Sequence, residues 1–158
     1  MVSSPDDPSF AQWPPHCVVD TPGQRRIPET QFPSKTTIPD RPGAFTQPED
    51  WSGQLELEKT GYSVAGNPNF GSIVAALGPC HFVAFGVATE YCVRHSVLAL
   101  RKLNFTVDLV VDAVRAITEE GGREAIHEML AAGARLVTTD EVCSGSLQPQ
   151  AIVSAGNP

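Results

Sequence analysis

Cys92 stands where an apolar run of β-favouring residues gives way to a helical pattern. The run, residues 81–88, predicts a buried strand, and Gly86 marks its end. From Glu90 onward apolar residues recur at helical spacing, with Thr89 as the predicted N-cap. Cys92 therefore falls in a first helical turn, where unpaired backbone N–H groups and the helix dipole favour an anion such as a thiolate. The alternative is a buried cysteine with a packing role only.

The chain from residue 54 onward alternates between strand and helix patterns. We predict strands over residues 55–59, 81–88, 106–112 and 135–138, and helices over residues 70–77, 90–103 and 119–132. This βαβα order predicts a doubly wound, Rossmann-like α/β fold with a parallel sheet and helices on both faces. Gly133 is expected to end the last of these helices.

Proline content divides the chain into unlike parts. Residues 1–53 hold most of the 14 prolines and are expected to be irregular loop. Residues 143–158 are expected to be a loose tail of small and polar residues. We therefore expect one domain over residues 1–158, whose regular core covers residues 54–142.

Composition argues against several classes of partner. The net charge of −7 disfavours nucleic acid, which requires clustered Lys and Arg. No apolar stretch is long enough to span a membrane, and no signal-peptide core opens the chain, so a cytoplasmic location is expected. The four cysteines show no CxxC spacing and are expected to be reduced thiols: Cys17, Cys80, Cys92 and Cys143.

Three segments resemble the isochorismatase-like cysteine hydrolases. They are Gly86-Val-Ala-Thr-Glu-Tyr-Cys-Val-Arg, Trp13-Pro-Pro-His-Cys-Val and Leu57-Glu-Lys-Thr-Gly-Tyr-Ser-Val. The first is similar to the nucleophile region of that superfamily, the second to a stretch found in nicotinamidases, and the third to the strand end that carries the family's lysine. The resemblance covers residues 9–142 and implies an isochorismatase-like hydrolase fold of the nicotinamidase/pyrazinamidase branch.

The resemblance also assigns catalytic roles by motif position. Cys92 takes the place of the nucleophile, and a Lys59 ammonium near it would stabilise the thiolate and an anionic transition state. The backbone N–H groups of Ala88 and Cys92 would hold the oxyanion, and the family's cis peptide falls at Val87–Ala88. The alternative for Lys59 is a solvated surface lysine.

The residues that the resemblance places at the substrate are Trp13, Tyr62, Val87 and Tyr91. Trp13 would stack on a pyridine ring and Tyr62 would close the pocket wall. The alternative for Trp13 is a packing residue within a loop.

His16 takes the position of the family's metal-ligand histidine, which implies a divalent metal such as zinc, iron or manganese. The family's Asp-x-His-Pro stretch and the strand bearing its catalytic aspartate have no counterpart in this sequence. We therefore expect that an N-terminal strand–helix–strand is lacking and that activity is impaired. Asp7 and Asp20 are the candidate substitute acids, with surface aspartates as the alternative interpretation.

Two classes of function follow. The first is an amidohydrolase that converts nicotinamide to nicotinate and ammonia through a cysteine thioester, with another small amide as the rival substrate. The second is a non-catalytic homologue that acts as a binding or oligomerisation module. Unpaired strand edges next to the lacking strands favour a homo-oligomer in either case.

Overall fold

The computed structural model describes residues 3–46 and 53–147. The chain forms two compact units, Met1–Ala76 and Leu77–Pro158. The part of the predicted tail beyond residue 147, and residues 47–52 of the proline-rich region, lie outside the described residues. None of the helices in the described ranges has the length and apolar character needed to cross a bilayer.

The first unit contains a two-stranded parallel sheet. Strand β1 (Lys35–Ile38) pairs with β2 (Gln54–Leu57), in register from Lys35↔Gln54 to Ile38↔Leu57. Helix α1 (Phe70–Leu77) has the bounds that its apolar spacing predicts. Short 3-10 turns occupy Pro8–Ala11, Pro22–Gln24, Pro28–Thr30 and Val64–Gly66. The first three begin with proline, whose fixed φ suits the first helical position.

Strand β1 corrects the prediction that the proline-rich region is all loop. Its four residues, Lys-Thr-Thr-Ile, include β-branched side chains that favour a strand. The run is too short to stand out from a loop by pattern alone, and β2 supplies the hydrogen-bonding partner that makes it a strand. Strand β2 ends at Leu57 rather than at the predicted Lys59.

A buried asparagine fixes the ends of both strands in the first unit. Asn67 is 1% exposed, and its Nδ2 donates to the carbonyl oxygens of Glu58 at 2.7 Å, Pro39 at 3.3 Å and Ile38 at 3.4 Å. Its Oδ1 accepts from the backbone N–H of Asn69 at 2.9 Å. Because buried polar groups must be paired, this carboxamide sets where the chain leaves β1 and β2.

The second unit contains a three-stranded parallel sheet in the order β3-β4-β5. Its strands are β3 (His81–Val87), β4 (Thr106–Arg115) and β5 (Arg135–Val137), and its helices are α2 (Arg94–Lys102), α3 (Glu119–Ala131) and α4 (Thr139–Cys143). Side chains buried in this unit include Val97, Leu100, Val107, Leu109 and Met129. As predicted, Gly133 follows α3 in the left-handed region, with φ of 88°.

Two features of the second unit differ from the prediction. Strand β4 runs to Arg115 instead of ending at Asp112, because its pairing with β3 resumes at Gly86↔Val114 after a register shift. The short helix α4 was not predicted. The Asp112 carboxylate accepts a hydrogen bond of 2.9 Å from the N–H of Thr139, the first residue of α4. Asp112 therefore stabilises the start of this helix.

One buried carboxylate joins all three strands of the second unit near their amino ends. Asp108 of β4 is 0% exposed. It accepts two hydrogen bonds from the Arg135 guanidinium, Nε to Oδ1 at 2.6 Å and Nη2 to Oδ2 at 2.8 Å. The His81 Nε2 lies 2.9 Å from Oδ2. Since a buried charge is stable only when paired, Asp108 fixes β3 and β5 against β4.

Replacing this carboxylate is expected to destabilise the protein. Asp108→Asn leaves the Arg135 guanidinium without its charged partner, so the free energy of unfolding should fall by about 3 kcal/mol. Urea denaturation followed by circular dichroism measures the loss. Asp112→Asn, at an exposed position of the same strand, is the matched control and should cost clearly less. An equal loss for both variants would contradict the role given to Asp108.

Candidate active site

Cys92 lies in a π-helical turn, Thr89–Val93, between β3 and α2. The carbonyl oxygen of Ala88 accepts from the N–H groups of Tyr91 and Val93, each at 3.2 Å. Cys92 is thus in the first helical turn, as predicted. The N-cap, however, is Ala88 and not Thr89, because the Ala88 carbonyl closes the turn and the Thr89 side chain is buried. The Val87–Ala88 peptide is cis, as the resemblance implies.

A cavity of about 250 Å³ opens beside the half-buried Cys92 thiol. It is lined by the second half of β3, by the turn and by α2, through Ala84, Phe85, Gly86, Val87, Cys92, Val93, Ser96, Val97 and Leu100. Most of these side chains are apolar. Such a lining, with a thiol as one of its few polar groups, suits a small and largely apolar molecule.

The buried side chain of Glu90 holds the Thr89–Val93 turn in place. The sequence pattern did not assign a role to this residue. Its Oε1 accepts the backbone N–H of Ile117 at 2.9 Å and of Thr118 at 3.0 Å. Burial raises the pKa of Glu90, but these hydrogen bonds and the nearby Arg94 charge outweigh burial and lower it below the ordinary value of 4.5. The signal available in the sequence was the presence of an acidic residue in the first turn of the predicted helix.

Lys59 and Tyr62 lie together in the first unit, just beyond β2. The Lys59 Nζ donates to the carbonyl oxygens of Gly61 at 2.9 Å and Tyr62 at 2.8 Å. The Asp40 carboxylate accepts from the Thr60 N–H at 2.9 Å and so anchors the same segment. The buried Asn67 sets the position from which this segment departs. The lysine is therefore held by its own turn and is not on the strand.

The Trp13–His16 segment follows the Pro8–Ala11 turn. The N–H of Trp13 donates to the Ser9 carbonyl at 2.9 Å. The His16 Nδ1 lies 2.9 Å from the Pro14 carbonyl oxygen, and its ring meets Phe10 edge-on with centroids 5.6 Å apart. These contacts leave His16 half-buried near the surface of the first unit.

The described residues do not fit a divalent metal site. Within residues 3–46 and 53–147, no three His, Cys, Asp or Glu side chains are grouped to hold an ion. Asp7 accepts the N–H of Ser9 at 2.9 Å and caps the first 3-10 turn. Hydrogen bonds from Ser9 lower the Asp7 pKa, so this carboxyl is ionised at neutral pH and is poorly suited to donate a proton.

The predicted residues therefore fall into two groups. Val87, Ala88, Tyr91 and Cys92 belong to the second unit, where Val87 and Cys92 line one cavity. Trp13, His16, Lys59 and Tyr62 belong to the first unit, where Lys59 contacts Tyr62. The catalytic and binding roles of these residues stay predictions.

Parallel strands linked through helices define a protein of the doubly wound α/β class, as predicted. The isochorismatase domain matches residues 6–141, and the chain belongs to this family. The nicotinamidase of Escherichia coli is 25% identical over 144 residues, which cover 80% of this chain and 57% of that protein. The chain spans less than 60% of the length of the curated relatives it matches.

Two solved structures show the same fold. The N-carbamoylsarcosine amidase of Thermoplasma acidophilum superposes with a TM-score of 0.67 at 27% identity, covering 89% of this chain and 70% of that one. The pyrazinamidase of Pyrococcus horikoshii, solved in complex with zinc, gives a TM-score of 0.59 at 30% identity, covering 80% of this chain and 63% of that one. The predicted isochorismatase-like superfamily is confirmed.

The lowered pKa of Glu90 predicts a pH dependence of stability. Its ionised form is favoured in the folded protein, so its contribution is fully present above the ordinary value of 4.5 and is lost as the pH falls through the lower folded value. From about pH 6 to about pH 3, wild type should lose more unfolding free energy than Glu90→Gln does. Urea denaturation at each pH measures both. Parallel curves for the two proteins would contradict the prediction.

Proposed function

We propose that the protein is an amidohydrolase that uses the Cys92 thiolate to hydrolyse nicotinamide to nicotinate and ammonia. One observation carries the proposal: the Cys92 thiol stands in a first helical turn, beside a small and mostly apolar cavity. The family membership and the nicotinamidase relatives support amide hydrolysis and this substrate class.

The proposed chemistry begins with attack of the Cys92 Sγ on the amide carbon. A C–S bond forms, and the carbonyl oxygen becomes an oxyanion that the N–H groups of Ala88 and Cys92 stabilise. Collapse of this intermediate breaks the C–N bond, and the nitrogen takes up the proton that the Cys92 thiol gives up on attack and leaves as ammonia. Water then attacks the thioester, which releases nicotinate and restores the thiol.

The remaining roles are proposed by motif position. Lys59 stabilises negative charge at the reacting centre, Trp13 stacks on the pyridine ring, and Tyr62, Val87 and Tyr91 border the substrate. We assign no step to a metal at His16, because the described residues do not group ligands around it. We give Asp7 no part in the proton transfer, because its carboxylate is engaged as the N-cap of the Pro8–Ala11 turn.

A second candidate function, a homo-oligomerisation module, is favoured by one observation. Strand β3 has no pairing partner on its outer edge within the described residues, and its Phe85 and Val87 are each 69% exposed. Exposed apolar side chains on an open strand edge favour association with another strand. Under this alternative the purified protein forms stable dimers or larger oligomers in size-exclusion chromatography and has no amidase activity.

Removing the nucleophile is expected to abolish turnover. Cys92→Ala should lower the rate of nicotinamide hydrolysis on the order of a thousandfold or more, because no other group forms the thioester. Ammonia and nicotinate release by the full chain measure the rate. Cys143→Ala removes an exposed thiol and is the matched control, with activity retained. A wild-type protein without activity, or an active Cys92→Ala variant, would refute the proposal.

Trp13 is expected to select for an aromatic amide. Trp13→Ala removes the stacking face, so the KM for nicotinamide should rise about fivefold or more, corresponding to roughly 1 kcal/mol. An aliphatic amide such as propionamide should be affected less. Steady-state kinetics with both substrates measure the difference. An equal rise for the two amides would mean that Trp13 only packs its loop.

A further inference from the structure

We infer that Glu90 is a positioning residue for the nucleophile. Its carboxylate ties the Thr89–Val93 turn, and with it the Cys92 thiol, to the segment that leads into α3. The inference rests on the proposed function, because it gives Cys92 the role of nucleophile. It assigns to Glu90 a task that neither the motif nor the cavity lining indicates.

The Glu90 hydrogen bonds join two segments that are far apart in the chain. Oε1 receives the backbone N–H groups of two consecutive residues, Ile117 and Thr118, which lie 27 and 28 positions further along the chain. Glu90 is 8% exposed. A short turn that carries a reactive thiol is thereby bonded to a distant loop at a point two residues from Cys92.

The Glu90 carboxylate also faces positive charge. Thr118 is the N-cap of α3, and its Oγ1 accepts the N–H of Gly121 at 3.1 Å. Glu90 therefore lies at the positive end of the α3 dipole, which favours its ionised form. Arg94, four residues beyond Glu90, adds a further positive charge. Charge-assisted bonds to backbone N–H groups are roughly twice as strong as neutral ones.

The residues around the Glu90 carboxylate are closely packed. Gly121 leaves room for the contact, because a Cβ there would lie 2.7 Å from Thr118 Oγ1 and 3.4 Å from Glu90 Oε1. Glu90 is not among the residues that line the cavity beside Cys92. The carboxylate thus faces the start of α3, and it acts on the reaction through the geometry of the turn.

The test measures alkylation of Cys92 by iodoacetamide in the full chain, with peptide mass spectrometry to follow each cysteine. Glu90→Gln keeps the size of the side chain and removes its charge. It should slow Cys92 alkylation roughly fivefold relative to the exposed Cys143, because weaker bonds to Ile117 and Thr118 loosen the turn. Glu120→Gln is the matched control. It removes an exposed carboxylate from the first turn of α3 and should leave the ratio unchanged.

The direction of the change separates positioning from simple electrostatics. Loss of a negative charge near a thiol, with geometry unchanged, favours the thiolate and would speed alkylation. Faster or unchanged alkylation in Glu90→Gln would therefore overturn the inference. The same slowing in Glu120→Gln would also overturn it, because a general effect on α3 would then explain both variants.

Two further measurements keep the inference independent of folding and of the proposed substrate. If Glu90→Gln does not fold, Glu90→Asp retains the charge but shortens the reach by one methylene, and it should also slow alkylation. Where nicotinamide is hydrolysed, Glu90→Gln should lower kcat while KM changes less than about twofold. A wild type without activity would remove the proposed function, whereas slower alkylation in the variant would still support positioning of Cys92 by Glu90.

Discussion

The buried Asp108 carboxylate is the constraint on which the second unit depends. It takes two hydrogen bonds from Arg135 of β5 and lies 2.9 Å from the His81 ring of β3, so one side chain fixes three strands near their amino ends. A buried charge tolerates little displacement of its partners. The contacts of Asp108 therefore fix the starts of β3 and β5 against β4.

At the carboxyl end of β3 the structure depends on a second carboxylate, that of Glu90. Glu90 ties the Thr89–Val93 turn to the N–H groups before α3, and the Ala88 carbonyl closes the turn from within. These hydrogen bonds fix the turn that places the Cys92 thiol beside its cavity. Two acidic residues at opposite ends of the sheet thus connect the fold to the proposed chemistry. Asp108 fixes the three strands relative to one another, and Glu90 holds the turn that carries Cys92.

The first unit uses neutral groups for a similar purpose. The Asn67 carboxamide carries no charge, yet its three donor contacts fix the residues where the chain leaves β1 and β2. They thereby fix the start of the segment that carries Lys59. Lys59 in turn binds the carbonyl oxygens of Gly61 and Tyr62. A lysine held in this way has a defined position within its unit, which the proposed role in charge stabilisation requires.

The sequence by itself determined the family, the α/β alternation and the location of Cys92 in a first helical turn, because apolar periodicity and local motifs are properties of neighbouring residues. The bounds of α1 and the glycine after α3 were predictable for the same reason. Strand β1 and the extension of β4 depended on partners distant in the chain, which the local sequence pattern does not reveal. In the sequence, nothing distinguishes three residues from other polar residues: Asp108, Asn67 and Glu90. Only the tertiary structure decided their roles, since burial against specific strands and loops is what makes each hydrogen bond necessary.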